Sequence, residues 1–196
     1  GFQKQDTGSV IFQGKSLENF RPNKICQLGM ARTFQVPKPF ARISVFDNVV
    51  IGAYVRSRNN HEASELASAA LKLVGLQDLA NTPAANLTNR QLRLMELARA
   101  LASKPALILV DEILAGLDSE ATKVVVQVLR KITELGITIV IIEHSMRTMV
   151  ELVDRFIVLD HGALLANDSP ENIVKDEKVI EAYLGKKWLE ANADFN

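Results

Sequence analysis

The sequence predicts an α/β fold, with a parallel sheet in the second half and a more irregular, helical first half. Two observations carry this reading. Residues 106–111, 137–142 and 155–159 are solid apolar runs of strand length, the pattern of strands covered on both faces. Residues 89–102, 119–135 and 145–153 alternate with them as helices, and that alternation builds parallel βαβ units.

The earlier elements follow from local signals. SVIFQ at 9–13, ended by Gly14, reads as a short strand and turn. Pro22 at a first helical position and Gly29 just past the end bracket a short helix. GMARTFQVPKP at 29–39 reads as a strand entering a loop, because Pro37 and Pro39 forbid regular structure. Residues 45–53 form a helix, as do residues 61–74, where Leu66, Ala70 and Leu73 recur at helical spacing. Towards the end, Ser169-Pro170-Glu171 opens a short helix and Gly185 closes the last one. The polar tail from 187 to 196 is expected to fray.

Composition narrows the function classes. A chain of 196 residues suits one domain with a small appendage. Its 23 Lys and Arg balance 23 Asp and Glu, which argues against nucleic-acid binding by bulk electrostatics; no nucleic-acid partner is expected. With 47% hydrophobic and 23% charged residues the composition is that of a globular protein. Cys26 is the only cysteine, which excludes a disulfide scaffold and fits a reducing compartment. The longest apolar runs fall far short of the roughly 18 residues that a membrane-spanning helix needs. The N-terminal residues are polar and form no signal-peptide core.

In open parallel sheets, ligands bind beyond the carboxyl ends of the strands. There the run ALILVDE delivers Asp111 and Glu112 together, either as two solvated acids or as a magnesium ligand beside a residue that activates water. His144 follows ITIVIIE, either capping the next helix or hydrogen-bonding a terminal phosphate. Thr88-Asn89-Arg90-Gln91 opens the helix LRLMELARAL. Thr88 and Gln91 have capping-box spacing, which needs no ligand, although such a helix start also attracts anions. Gln35, just before Val36-Pro37, is a surface glutamine or a ligand of Mg²⁺ or water. Ala115-Gly116-Leu117-Asp118 is a turn in which Asp118 or Ser119 caps a helix. His61 and His161 read as ordinary surface histidines.

Taken in order, these signals resemble the ATP-binding subunit of an ABC transporter. Gln35 matches the Q-loop, Thr88 to Gln91 the signature, LILVDE the Walker B strand, AGLD the D-loop and His144 the switch histidine. GMARTFQ, SVFDNVVIGA and the ending VIEAYLG are similar to the branched-chain amino acid importer type. The resemblance covers residues 1 to 186 and implies a P-loop NTPase parallel-sheet core, with the helical subdomain and signature helix at about 36–102. The Walker B, D-loop and H-loop core would occupy 103–168.

The resemblance implies ATP and Mg²⁺ as cofactors. Asp111 and Gln35 would hold the metal, Glu112 would be the general base, and His144 would bind the γ-phosphate. Thr88, Asn89, Arg90 and Gln91 would complete the nucleotide site of a second ATP-binding subunit, with Asp118 at the seam. The further partners implied are membrane permease subunits and, indirectly, a periplasmic solute-binding protein. That places the chain peripherally on the cytoplasmic face of the inner membrane.

The sequence departs from the family in three places. No G-x-x-x-x-G-K-[ST] loop occurs in it, and the chain opens with Gly1 rather than Met. It therefore reads as a subunit lacking its N-terminal Walker A portion, less stable than the whole and a poor binder of ATP. Asn89 and Arg90 stand where the family carries glycines, which leaves open a non-hydrolysing nucleotide-sensing or assembly subunit. Ile113 replaces a common proline, with little effect expected. A chromosome-maintenance or repair ATPase would need a coiled-coil insertion between Gln35 and Thr88, and no sustained heptads occur there.

Overall fold

A computed structural model of the chain describes residues 1–184, so Gly185 and the tail from 187 lie outside the described residues. The chain divides into two compact units, Gly1–Glu143 and one that begins at His144. This boundary cuts across the segment 103–168.

The first unit opens with a small antiparallel hairpin, β1 (Ile11–Phe12) and β2 (Lys15–Ser16). Its two turn residues, Gln13 and Gly14, both have positive φ, the geometry that suits the twist of paired strands. Helix α1 (Pro22–Leu28) begins on its proline and ends at Gly29, whose φ of 104° only glycine adopts without strain. Strand β3 (Met30–Arg32) follows at once.

Helices α2 (Val45–Ala53) and α3 (Asn60–Val74) start at side-chain caps. Ser44 accepts from the Asp47 N–H, and Asn59 from the Glu62 N–H. After two 3₁₀ turns come α4 (Asn89–Ala102), β4 (Leu107–Asp111), α5 (Ser119–Glu134) and β5 (Thr138–Ile142).

Strands β3, β4 and β5 form a parallel sheet in that order. Ala31 stands opposite Ile108, and Asp111 opposite Ile142. The ladder runs past the strand ends, where Thr33 N–H donates to Leu109 O and Glu112 N–H to Ile142 O, each at 2.9 Å. Parallel pairing thus brings the carboxyl ends of all three strands to one rim.

Helices α2, α3 and α4 pack on one another, and α4 also touches β3. Residues 93–98 of α4 are all buried, including the polar Arg93 and Glu96, because neighbours surround the helix. A Cβ at Gly52 on α2 would lie 2.0 Å from the main-chain oxygen of Arg99, so these two helices approach backbone to backbone. Helix α5 is amphipathic and buries Ala121, Val125, Val128, Leu129 and Ile132 at helical spacing.

Two expectations need correction. The solid apolar run of β5 suggested cover on both faces, yet Val140 is 50% and Ile142 61% exposed, so one face is open and the other, with Ile139 and Ile141, is only half-buried. Apolarity reports what a strand could bury, whereas cover depends on neighbours the run does not specify. The strand at 155–159 was expected to join the parallel sheet. Instead, in the second unit, β6 (Phe156–Asp160) pairs antiparallel with β7 (Ala163–Asp168).

The turn between them accounts for the antiparallel pair. His161 and Gly162 both have positive φ and form a two-residue hairpin loop, which returns the chain at once and leaves no room for a crossover. Strand β7 was not anticipated, because ALLAND ends in residues poor in strand propensity. The second unit is completed by α6 (Met146–Leu152), α7 (Pro170–Ile173) and α8 (Glu177–Leu184), with Met149, Ile173 and Val179 buried. Among the described residues no helix is long and apolar enough to cross a membrane.

The close approach at Gly52 gives a sharp expectation. Gly52→Ala inserts a methyl group against main chain, which no side-chain rotation relieves, and should destabilise the protein by about 3 kcal/mol or more. Urea unfolding measures this; a change below about 1 kcal/mol would show that the crossing of α2 and α4 is looser than described.

Candidate functional site

Strand β4 delivers two carboxylates in succession at the rim. Asp111 ends the strand, and Glu112 turns away from it with a φ of 45°. A left-handed backbone is costly for a residue with a Cβ, of order 1–3 kcal/mol, and persists only where its surroundings impose it. Three hydrogen bonds do so here. Glu112 N–H donates to Ile142 O, Ala115 N–H donates back to Glu112 O at 3.2 Å, and Leu114 N–H donates to the Glu143 carboxylate at 2.7 Å.

The segment following β3 reaches both acids. Gln35 Nε2 donates to Glu112 Oε2 at 2.6 Å, joining residues 77 apart in sequence. Arg32 Nη2 meets Asp111 Oδ2 at 3.1 Å, and its guanidinium also lies 5.4 Å from the Phe34 ring and 5.9 Å from that of Phe2. The structure therefore brings Gln35, Asp111 and Glu112 together.

Arg32 is the neighbour that sequence reasoning missed. Its signal was positional, since it stands in register with Leu109 two residues before the acid it pairs with.

The donor set suits Mg²⁺. That ion is bound through one or two carboxylates together with phosphate oxygens and water. Asp111 offers a carboxylate. Gln35 turns its amide nitrogen to Glu112, which leaves its carbonyl oxygen, a hard ligand, for a metal or water. Among the described residues no group of three or more His, Cys, Asp or Glu forms a site complete in itself.

At the start of α4 the capping box is closed. Gln91 N–H donates to Thr88 Oγ1 at 3.4 Å, and Thr88 N–H to Gln91 Oε1 at 2.9 Å. Asn89 is exposed and Arg90 half-buried. The Asn89 amide lies beside Gly116, 3.8 Å from where a Cβ would stand, so this helix start adjoins the AGLD turn. Asp118, rather than Ser119, caps α5, accepting from Ala121 N–H at 2.7 Å. His144 opens the second unit, where its main-chain carbonyl accepts a hydrogen bond from the Tyr183 hydroxyl. His61 lies 3.6 Å from Glu65 on the surface, and His161 sits in the hairpin turn.

A buried ion pair anchors the Gln35 loop. Glu96 accepts from Lys38 N–H at 3.1 Å and pairs with Arg99 at 3.2 Å, while Arg99 donates to Lys38 O at 3.1 Å. Burial pushes the Glu96 carboxyl above the ordinary carboxylate range, against the opposing pull of the Lys38 N–H, Arg99, the Phe34 N–H and Arg93. Burial likewise lowers Arg99, with Glu96 opposing.

Two expectations follow. A carboxyl with a raised folded pKa contributes stability that is full below the unfolded value, about 4.3, and is lost as pH rises through the folded value. The stability of wild type relative to Glu96→Gln should therefore fall as pH rises from about 4 through the raised folded value, and urea midpoints at successive pH values would show it. A difference that stays flat or grows would contradict this placement of Glu96. Thr88→Ala opens the capping box and should cost about 1 kcal/mol, read from the same titrations at one pH.

Comparison with known proteins bears on the family and the fold. The profile of the ABC transporter family matches residues 1–115. A probable branched-chain amino acid transport ATP-binding protein LivG of Archaeoglobus fulgidus is 31% identical over 94% of this chain and 77% of its own length. The high-affinity LivG of Escherichia coli K12 is 30% identical over 95% of this chain and 79% of its own. Among solved structures, the ADP conformation of MJ1267, an ATP-binding cassette of an ABC transporter, superposes with a TM-score of 0.83 at 28% identity, covering 95% of this chain and 80% of that one. CbiO1 of Clostridium perfringens, part of the transporter complex cbiONQ, gives 0.80 at 25% identity, covering 99% and 79%. With motifs, sheet order and relatives in agreement, the chain belongs to the ABC transporter ATPase family and has the P-loop NTPase fold of its nucleotide-binding cassettes.

Proposed function

We propose that this chain forms the ATP-hydrolysing part of an importer for branched-chain amino acids or related small solutes. The observation that carries the reading is the Gln35–Glu112 hydrogen bond at the carboxyl rim of the parallel sheet. It joins an amide able to face a metal to a carboxylate able to accept a proton from water. The relatives' names supply the solute class.

In this reading Glu112 orients the attacking water and takes its proton, while Gln35 Nε2–H holds the carboxylate in place. Asp111 and the Gln35 carbonyl oxygen hold Mg²⁺, which when bound neutralises charge on the phosphates. Arg32 must then release Asp111, and the aromatic rings beside it give the guanidinium a second resting place. His144 donates to the γ-phosphate. Thr88, Asn89, Arg90 and Gln91 meet the nucleotide held by a second subunit, and Asp118 lies at the seam between the two. The side chains of Val36, Phe40, Ile51 and Tyr54, exposed around the Gln35 loop and α2, suit a permease contact on the cytoplasmic face of the inner membrane. Solute reaches the permease from a periplasmic binding protein.

The 196 residues contain no G-x-x-x-x-G-K-[ST] loop. The N–H cradle and lysine for the β- and γ-phosphates must therefore be supplied by a further segment, on this polypeptide or another. Residues 1–196 alone should fail to bind Mg-ATP at micromolar affinity by calorimetry, and tight binding would overturn that part of the proposal. In an assembly that holds such a loop, Glu112→Gln should keep ATP binding and lower turnover by about 10²- to 10⁴-fold. Unchanged turnover would remove Glu112 from the role of base.

A further inference from the structure

We propose that Arg93 is a positioning residue whose guanidinium fork ties the Gln35 loop to the loop after Glu112, so that α4 sets the contact between Gln35 and Glu112. This rests on the reading of those two residues as the hydrolytic pair.

Three side chains on one face of α4, Arg93, Glu96 and Arg99, grip residues 35–38. Arg93 Nη1 donates to the main-chain oxygen of Gln35, Glu96 accepts from Lys38 N–H, and Arg99 donates to Lys38 O. Arg93 also reaches the other loop, with Nη2 directed at Ala115 O at 3.5 Å. Its two terminal nitrogens thus serve carbonyls 80 residues apart, one in the residue that contacts Glu112 and one three residues beyond Glu112.

The environment makes the fork specific. Arg93 is only 6% exposed, and its Nε has no hydrogen-bond partner among the described residues. A buried guanidinium is costly, and an apolar side chain of similar volume would fill the space at least as favourably. What arginine adds is two parallel donors in a fixed plane; a lysine is a point charge that serves one acceptor. Arg93 lies one turn into α4, and it is the side chain of this helix whose hydrogen bonds reach both the Gln35 loop and the loop after Glu112.

The test uses the full 196-residue chain, wild type against Arg93→Met and Arg93→Lys, followed by amide hydrogen exchange in NMR spectra. Lys38 N–H reports on the first loop, and Leu114, Ala115 and Leu117 N–H report on the second. Arg93→Met should speed exchange at both by about five- to tenfold, the loss of one hydrogen bond's protection, and shift the Gln35 side-chain amide resonance. Arg93→Lys should restore Lys38 and the Gln35 signal but leave residues 114–117 fast.

Equal behaviour of the two variants, wild-type exchange in both loops, or faster exchange spread evenly through α2 and α3 would overturn the proposal. If Arg93→Met fails to fold, the split between the loops in Arg93→Lys decides alone. No nucleotide is involved, so this result and the Glu112→Gln turnover result stand or fall separately.

Discussion

The parallel pairing of β3 with β4 is the constraint on which the site depends. A parallel ladder aligns strand ends of the same polarity, so whatever follows β3 must meet whatever follows β4. With Arg32 in register with Leu109, the next residues of each strand fall side by side. Arg32 then reaches Asp111, and Gln35 reaches Glu112. Neither contact could survive a slip of one residue, which would turn every side chain of β3 to the other face.

The helical layer is the second requirement, since a rim alone does not fix where a loop goes. The Gln35 loop is held by α4 through main-chain atoms, with Glu96 and Arg99 gripping Lys38 from below. Such anchorage tolerates changes in the loop's own side chains, because the contacts read its backbone. It also explains polar residues in the buried run of α4, where periodicity alone would favour apolar ones. Glu96 pairs with Arg99 on the same helix face while Arg93 donates to main-chain oxygens, at a cost in desolvation that the displaced carboxyl of Glu96 records.

Much of this was legible in the sequence, and for identifiable reasons. The helices at Val45–Ala53 and Asn89–Ala102 fell where the sequence placed them, the second marked by the capping box at Thr88, a local signal that tertiary structure did not override. The acids at 111 and 112 were found because a buried strand ends on them. The partners Arg32 and Arg93 were not, because each acts through a contact more than 20 residues away that no local pattern encodes. The hairpin of β6 and β7 was misjudged for a related reason. Apolar content identifies a strand, while the backbone of the two turn residues decides its neighbour.

The left-handed backbone at Glu112 bears on how this chain can evolve. Glycine or asparagine would rest there more comfortably than glutamate. Variants chosen purely for thermal robustness should therefore drift towards those two residues and silence the carboxylate as they do so. If Glu112 serves as the proposed base, thermal endurance and chemistry make opposite demands at this position, and the strained glutamate sits where they meet.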